Sequence, residues 1–288
     1  MSRVAYVNGR YRRHSEARVS VEDRGFQFAD GVYEVIAIDN GRFVDELPHL
    51  DRWDRSIAAL RLPAAMGRTA MRRVMAEMMA QNRVRQGILY LQLTRGQARR
   101  DAPFPRQSRP SLVMTCRRQP PPSEEQVQAG AAVLSVPEIR WQRCDVKSVA
   151  LLPNVLAKQK AREAGAFEAW FTRESDGVVT EGGSTNAFIV DGGGRLVTHP
   201  ATNAILGGIT RDRVIALARA VGIIVEERPF TLEEAKSARE AFLTSTTTGV
   251  YPIVRIDDAS VANGKPGGRT LALSGHYRTF SATGAMPS

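Results

Sequence analysis

Three consecutive prolines, Pro120-Pro121-Pro122, followed by Ser123, interrupt the chain somewhat before its middle. Each fixes φ near roughly −65°, removes a backbone donor and pushes its predecessor out of the helical region, so no helix or central strand runs through them. A chain of 288 residues is long enough for two domains of ordinary size. The prolines therefore predict an N-terminal domain over residues 1–119, a linker over 120–130 and a C-terminal domain over 131–288.

Turn chemistry and apolar periodicity predict a mixed α/β content on both sides of that break. Asn8-Gly9 supplies the two positive φ angles of a type I′ hairpin between apolar stretches, and Asp39-Asn40-Gly41 repeats the signal after the β-rich run Gly31-Val32-Tyr33-Glu34-Val35-Ile36-Ala37-Ile38. Leu50, Trp53, Ile57 and Leu60 recur at helical spacing over 49–60, which leaves Arg52 and Arg55 off the apolar stripe. A second helix is expected over 69–84, buried strands over 87–94 and 111–116, and a polar loop over 97–109 between them. Beyond the prolines the pattern predicts strands over 131–136, 168–172, 187–190, 196–198, 223–226, 241–244 and 251–256. Helices are expected over 154–163, 210–221 and 270–280, with Gly222 closing the second of these.

Composition narrows the function. A hydrophobic content of 43% suits a globular core. No run of about eighteen apolar residues is present, and the start Met1-Ser2-Arg3-Val4-Ala5-Tyr6 lacks the apolar segment of a signal peptide, so a soluble cytoplasmic protein with no membrane partner is expected. Cys116 and Cys144 are too few for a disulfide scaffold, and His14, His49, His199 and His276 show no metal-ligand spacing, so no metal site is expected. The net charge of +10 raises nucleic acid as a partner, but the arginines are scattered in ones and twos without interleaved aromatics. A solvated basic surface is the simpler reading, and no nucleic-acid partner is expected.

Lysines are scarce. Of the five, Lys158 and Lys160 fall on a polar helix face, Lys236 in a charged segment and Lys265 in a Gly-Pro loop. Lys147 alone lies in an apolar, strand-like context, Asp145-Val146-Lys147-Ser148-Val149-Ala150-Leu151. A lysine there either pairs with Asp145 as a structural ion pair or serves as a reactive amine. Glu181 leads into Gly182-Gly183-Ser184-Thr185-Asn186, where small residues admit close backbone approach and hydroxyls can anchor a ligand; the alternative is an ordinary turn. Gly207-Gly208-Ile209-Thr210 precedes a helix, with Thr210 expected as its N-cap, and Thr244-Ser245-Thr246-Thr247-Thr248-Gly249 follows a strand. Both offer donors to an anion.

Taken in order, Glu22-Asp23-Arg24-Gly25-Phe26-Gln27-Phe28-Ala29-Asp30-Gly31-Val32-Tyr33-Glu34, His49-Leu50-Asp51-Arg52, Thr94-Arg95-Gly96, the Lys147 block, Thr180-Glu181-Gly182 and Gly208-Ile209-Thr210-Arg211 resemble the class IV aminotransferases, the fold type IV pyridoxal-phosphate enzymes. Within them the chain looks most like the D-amino acid aminotransferases. The resemblance implies a two-domain α/β fold with a small N-terminal domain and a larger β-rich C-terminal one. It implies pyridoxal 5′-phosphate carried on Lys147, which then shuttles the proton, and Glu181 as partner of the ring nitrogen. Arg52, Ile209, Thr210, Ser245 and Thr246 would hold the phosphate, and Leu206 would pack on the ring. Tyr33 and Arg100 would hold the substrate carboxylate, with Ser184 and Thr185 beside the substrate. Ala102 stands where the D-amino acid enzymes carry a second carboxylate donor, a histidine. The family also implies a homodimer whose 97–109 loop serves the partner's site, and ping-pong exchange between an amino acid and a 2-oxo acid. Branched-chain L-amino acid and (R)-amine aminotransferases and aminodeoxychorismate lyase are the alternatives within the family.

Overall fold

A computed structural model describes residues 3–287, and the chain divides into two compact units. One holds the chain through Pro120 together with Val146–Leu151; the other holds Pro121–Asp145 and the chain from Leu152 onward. The short stretch Val146–Leu151, which contains Lys147, thus packs with the first unit although the sequence reading ran 131–288 unbroken.

The first unit opens on the hairpin β1 (Val4–Val7) and β2 (Arg10–Arg13), turned by Asn8 and Gly9 at φ 47° and 89°. It continues through α1 (Arg24–Phe28), β3 (Gly31–Asp39), β4 (Arg42–Phe43), α2 (Glu46–Ala59), α3 (Arg68–Gln81), β5 (Gly87–Thr94) and β6 (Ser111–Arg118). The strands form one antiparallel sheet in the order β2-β1-β6-β5-β3-β4. Val32, Ile36 and Ile38 of β3 and Leu89, Leu91 and Leu93 of β5 pack with Leu50 and Trp53 of α2 and Met71, Met75 and Met78 of α3. Each such side chain contributes about 1.5–3 kcal/mol by leaving water. Ile57 and Leu60 join only at the edge of this core. Arg52, placed off the apolar stripe by periodicity, is buried, because β3 sends a carboxylate towards that face of α2.

The second unit starts with α4 (Glu124–Ala129), in the stretch read as linker. Ser123 and Gln126 form a capping box there, each side chain bonded to the other's backbone N–H, and that suffices to start a helix directly after the prolines. Then come β7 (Ala131–Pro137), α5 (Leu152–Glu163), β8 (Glu168–Thr172), β9 (Val178–Gly182), β10 (Asn186–Val190) and β11 (Leu196–Thr198). The chain ends through α6 (Ile209–Ala220), β12 (Val225–Glu227), β13 (Phe230–Thr231), α7 (Leu232–Lys236), β14 (Glu240–Ser245), β15 (Gly249–Ile256), β16 (Ala259–Ser260) and α8 (Gly268–Thr283). Its sheet runs β12-β11-β10-β14-β15-β7-β8-β9-β13, with β16 on β15. The β15–β7, β7–β8 and β11–β12 pairs are parallel. Trp170, Val179, Ala187, Ile189, Leu243 and Ile253 share its core.

Helix α6 begins one residue before the expected start. Gly208 is its N-cap and Thr210 its second residue, so Thr210 does not cap the helix with its side chain. Gly208 is required there because a β-carbon would collide with Oδ1 of Asn186. Among the described residues no helix is long and apolar enough to cross a membrane.

Candidate active site

Lys147 reaches its position through backbone pairing rather than through a strand of its own. Strand β4 covers only the far end of β3, at Ile38 and Asp39. The open edge at the start of β3 is taken by 147–149: Tyr33 N–H donates to Lys147 O (3.0 Å), Val149 N–H to Gly31 O (3.0 Å), and Ser148 forms an isolated antiparallel bridge with Val32. The strand-like flank read from the sequence is thus a single bridge. Lys147 N–H donates to Ser56 Oγ of α2 at 3.3 Å, and its Nζ lies 4.2 Å from the centre of the Tyr33 ring. An ammonium over an aromatic face is stabilised by the ring quadrupole without being neutralised. The Asp145 carboxylate is gripped by the two-pronged guanidinium of Arg143, at 2.9 Å on each oxygen. Lys147 has no carboxylate partner among the described residues, so the structural ion pair considered for it is not the one formed.

Successive residues of β3 face opposite sides of the sheet, and Glu34 faces away from Tyr33. Its buried carboxylate accepts from Arg52 through Nε at 3.0 Å and Nη2 at 2.7 Å, and lies 3.1 Å from His49 Nδ1. Burial alone would raise Glu34, but Arg52 and His49 outweigh it and hold it far below the usual carboxylate range. His49 is itself pushed down by burial. The consequence is a rigid Arg52, held edge-on by a permanently ionised partner. Arg100 is exposed in the 97–109 loop, its guanidinium 4.8 Å from the centre of the Phe28 ring.

In the second unit Glu181 sits on β9, a strand whose five residues are all buried. Its Oε1 accepts from Arg140 Nη1 and its Oε2 from Asn186 Nδ2 (3.1 Å), while Leu206 N–H lies 3.1 Å from both oxygens. Arg140 is shared. Its Nε and Nη2 also bind Glu138, at 2.9 and 2.5 Å, and Thr180 Oγ1 donates to Glu138 at 2.7 Å. One guanidinium therefore serves two carboxylates. Burial would raise Glu138, but Arg140 holds it down. Burial raises Glu181 to about 7 despite Arg140 and the Leu206 N–H, with Glu138 adding its repulsion. Glu181, though paired with Arg140, is raised chiefly by its burial.

An anion-ready surface adjoins it. Asn186, the partner of Glu181, also donates to Leu206 O (2.9 Å) and presses Oδ1 against Gly208. No side chain caps α6, so the N–H groups of Ile209 and Thr210 in its first turn have no intrahelical acceptor. In the sheet Asn186 lies opposite Thr244, which leads into the hydroxyl turn. There Ser245 Oγ contacts Thr247 Oγ1 (3.2 Å) and Thr248 Oγ1 (2.8 Å), with Thr246 half-buried between them. The buried Thr244 Oγ1 has no partner. Asn186 thus joins the buried carboxylate of Glu181 to a helix start and a hydroxyl turn, an arrangement that fits a group cationic at one end and anionic at the other. Ser184 and Thr185 bridge β9 and β10. Ser184 Oγ donates to the buried Glu168 (3.0 Å), which Lys158 also binds, and Thr185 Oγ1 is buried without a partner.

The profile of the amino-transferase class IV family matches residues 31–256. The chain belongs to the class IV aminotransferases. Among proteins of that kind, D-alanine aminotransferase of Bacillus licheniformis is 41% identical over 260 residues, 90% of each chain. That of Listeria monocytogenes serotype 4b is 40% identical over 273 residues, 94% of this chain and 93% of the relative. In structure, the branched-chain amino acid aminotransferase of Escherichia coli superposes with a TM-score of 0.87 over 98% of this chain and 95% of its own at 21% identity, which speaks for the fold. The branched-chain aminotransferase of Thermoproteus uzoniensis, solved with norvaline, gives 0.84 over the same shares at 27% identity.

Sequence reasoning about this aminotransferase passed over Arg140, Glu138 and Asn186 as functional side chains. The alternation Glu138-Ile139-Arg140, two opposite charges on one side of an extended segment, was the available signal for the first two. Asn186 was legible only as an amide in the run after Glu181, since its particular role comes from contacts with Glu181, Leu206 and Gly208.

Proposed function

We propose that this chain is a cytoplasmic, homodimeric pyridoxal 5′-phosphate enzyme that transfers the amino group of D-amino acids to a 2-oxo acid. The observation that carries the cofactor is the arrangement around Asn186: a buried glutamate raised to about 7 beside an uncapped helix start and a hydroxyl turn. A pyridine ring bearing a phosphate matches both ends. The handedness of the substrate rests on the relatives named D-alanine aminotransferase, 40 and 41% identical over at least nine-tenths of both chains. The two branched-chain aminotransferase structures are similar at lower identity, 21 and 27%.

The cofactor supplies, when bound, a carbonyl that condenses with amines and a ring that accepts the electron pair released at Cα. Lys147 would hold it through its amine, and that amine, once free, would take the proton from the substrate Cα and hand it back. Glu181 would accept a hydrogen bond from the ring nitrogen and so favour its protonated form. Arg140 and Asn186 hold the carboxylate in place for that task. By the family's pattern Arg52, Ile209, Thr210, Ser245 and Thr246 would each be a ligand of the phosphate, and Leu206 would pack on the ring. Tyr33 and Arg100, the latter from the partner subunit, bind the substrate carboxylate, and Ser184 and Thr185 border the substrate. Arg100 makes a two-pronged contact in the absence of a histidine at Ala102.

The reading is tested by adding D-alanine, D-glutamate, L-leucine, L-glutamate and (R)-phenylethylamine singly to the holoenzyme and following the cofactor's absorbance. Conversion to the amine form by the D-amino acids is expected. Conversion by L-leucine and L-glutamate alone would replace the reading with the branched-chain one.

A further inference from the structure

The 97–109 loop joins β5 to β6 without regular structure, yet its first half is tied down inside the first unit. At its neck Gly96 takes φ 91° and lies so close to the Arg109 carbonyl that a β-carbon would collide with it. Arg24 N–H donates to Gly96 O at 2.9 Å and Ala98 N–H to Glu22 O at 3.2 Å. The side chain of Arg24, 3% exposed, then reaches along the loop. Its Nη1 donates to Asp101 O (2.5 Å) and Pro103 O (3.3 Å), its Nη2 to Ala102 O (3.0 Å), and its Nε to Asp30 (2.8 Å). Asp30 also receives Arg95 through Nε at 2.7 Å and Nη2 at 3.0 Å, and the Arg95 guanidinium lies 3.6 Å from the centre of the Phe104 ring. Burial would raise Asp30, but the bonds from Arg95 and Arg24 hold it below its ordinary value, so the node stays ionised. Phe28 completes the device, with the guanidinium carbons of Arg24 and Arg100 each 4.8 Å from its centre.

We infer that Arg24, anchored by Asp30, is a positioning residue for substrate recognition: it fixes the three carbonyls after Arg100 and the ring beneath Arg100, and so presents that guanidinium in one orientation. The inference rests on the reading that Arg100 binds the substrate carboxylate. A flat fork satisfies three successive carbonyls and a carboxylate at once, which the point charge of lysine does not. Asp30 keeps Arg95 when Arg24 is replaced, so the charge at the node remains paired.

The test compares holoenzyme carrying Arg24→Lys, Arg100→Ala and both. Single-turnover rates are measured with D-alanine and with (R)-phenylethylamine, which lacks a carboxylate. Arg24→Lys is expected to lower the D-alanine to amine rate ratio about tenfold when Arg100 is present and to leave it within about twofold in the Arg100→Ala background, the non-additivity of residues acting as one unit. Trypsin cleavage after Arg99 and Arg100 is expected to accelerate about tenfold in Arg24→Lys, as local opening becomes easier. An unchanged ratio, an equal drop in both backgrounds or unchanged cleavage overturns the inference. If Arg24→Lys does not fold, Phe28→Leu is judged by the same two readouts and the same thresholds. If Arg100→Ala alone leaves the ratio at the wild-type value, the carboxylate reading itself fails and the role of Arg24 falls with it; a drop in Arg100→Ala without one in Arg24→Lys refutes the positioning role alone.

Discussion

Replacing Glu181 by glutamine removes a charge while keeping the shape, and the structure predicts two separable effects. Three donors converge on the carboxylate, from Arg140, Leu206 and Asn186, so either orientation of an amide puts its NH2 against a donor. Such a mismatch costs about 1–3 kcal/mol. Against it stands the strain of ionising a buried group. With the folded value at about 7 and the ordinary value 4.5, native protein binds the proton more tightly than unfolded chain. Stability of the cofactor-free protein from this group is therefore highest below the ordinary value and falls as pH rises through the window to about 7. The loss is about 3 kcal/mol at 1.36 kcal/mol per unit. Urea unfolding of the cofactor-free protein at pH 5 and pH 8 measures that slope, and Glu181→Gln should lack it. In the holoenzyme the same change would remove the proposed partner of the ring nitrogen, and the D-alanine half-reaction should slow by about a hundredfold or more, roughly 3 kcal/mol in the barrier. An unchanged half-reaction rate would refute the role of Glu181, and an identical pH slope in the variant would refute the account of its burial.

Four further outcomes are expected. Lys147→Ala should leave no cofactor fixed to the protein by borohydride, seen by mass spectrometry, and should lower transamination by more than the roughly two to four orders assigned to a positioned base. Arg100→Ala should reduce turnover of D-amino acids while sparing (R)-phenylethylamine; equal losses would count against a carboxylate contact. Gly208→Ala drives a methyl group into Asn186 and should weaken cofactor binding in an absorbance titration and cost about 1–3 kcal/mol in thermal unfolding. Glu34→Gln should destabilise the protein by about 3–5 kcal/mol by removing the charge that pairs with buried Arg52, with weaker retention of the cofactor on gel filtration.

What was legible in the chain was what its local chemistry decides. Asn8-Gly9 and Asn40-Gly41 turn where their left-handed φ angles are needed, and Gly87–Thr94 forms the strand that its apolar run announces. The site residues stood out as residue types in an order rather than as geometry. Strand β9 was hidden because burial on both faces erases alternation, so Glu181 read as the approach to a turn. The burial of Arg52 depends on Glu34, eighteen positions away and on another element. The pairing of 147–149 with the start of β3 depends on an edge that β4 leaves open, which no local pattern around Lys147 reveals. Helix α4 was readable from Ser123 and Gln126, a capping box overshadowed by the prolines.

The most direct test of the account is the handedness of the product. Holoenzyme is incubated with D-alanine and 2-oxoglutarate, and the glutamate formed is resolved by chiral chromatography, with initial rates taken over both substrates. D-Glutamate, with parallel double-reciprocal lines, is the predicted result. L-Glutamate, or no glutamate at all from protein that holds its cofactor, would contradict it.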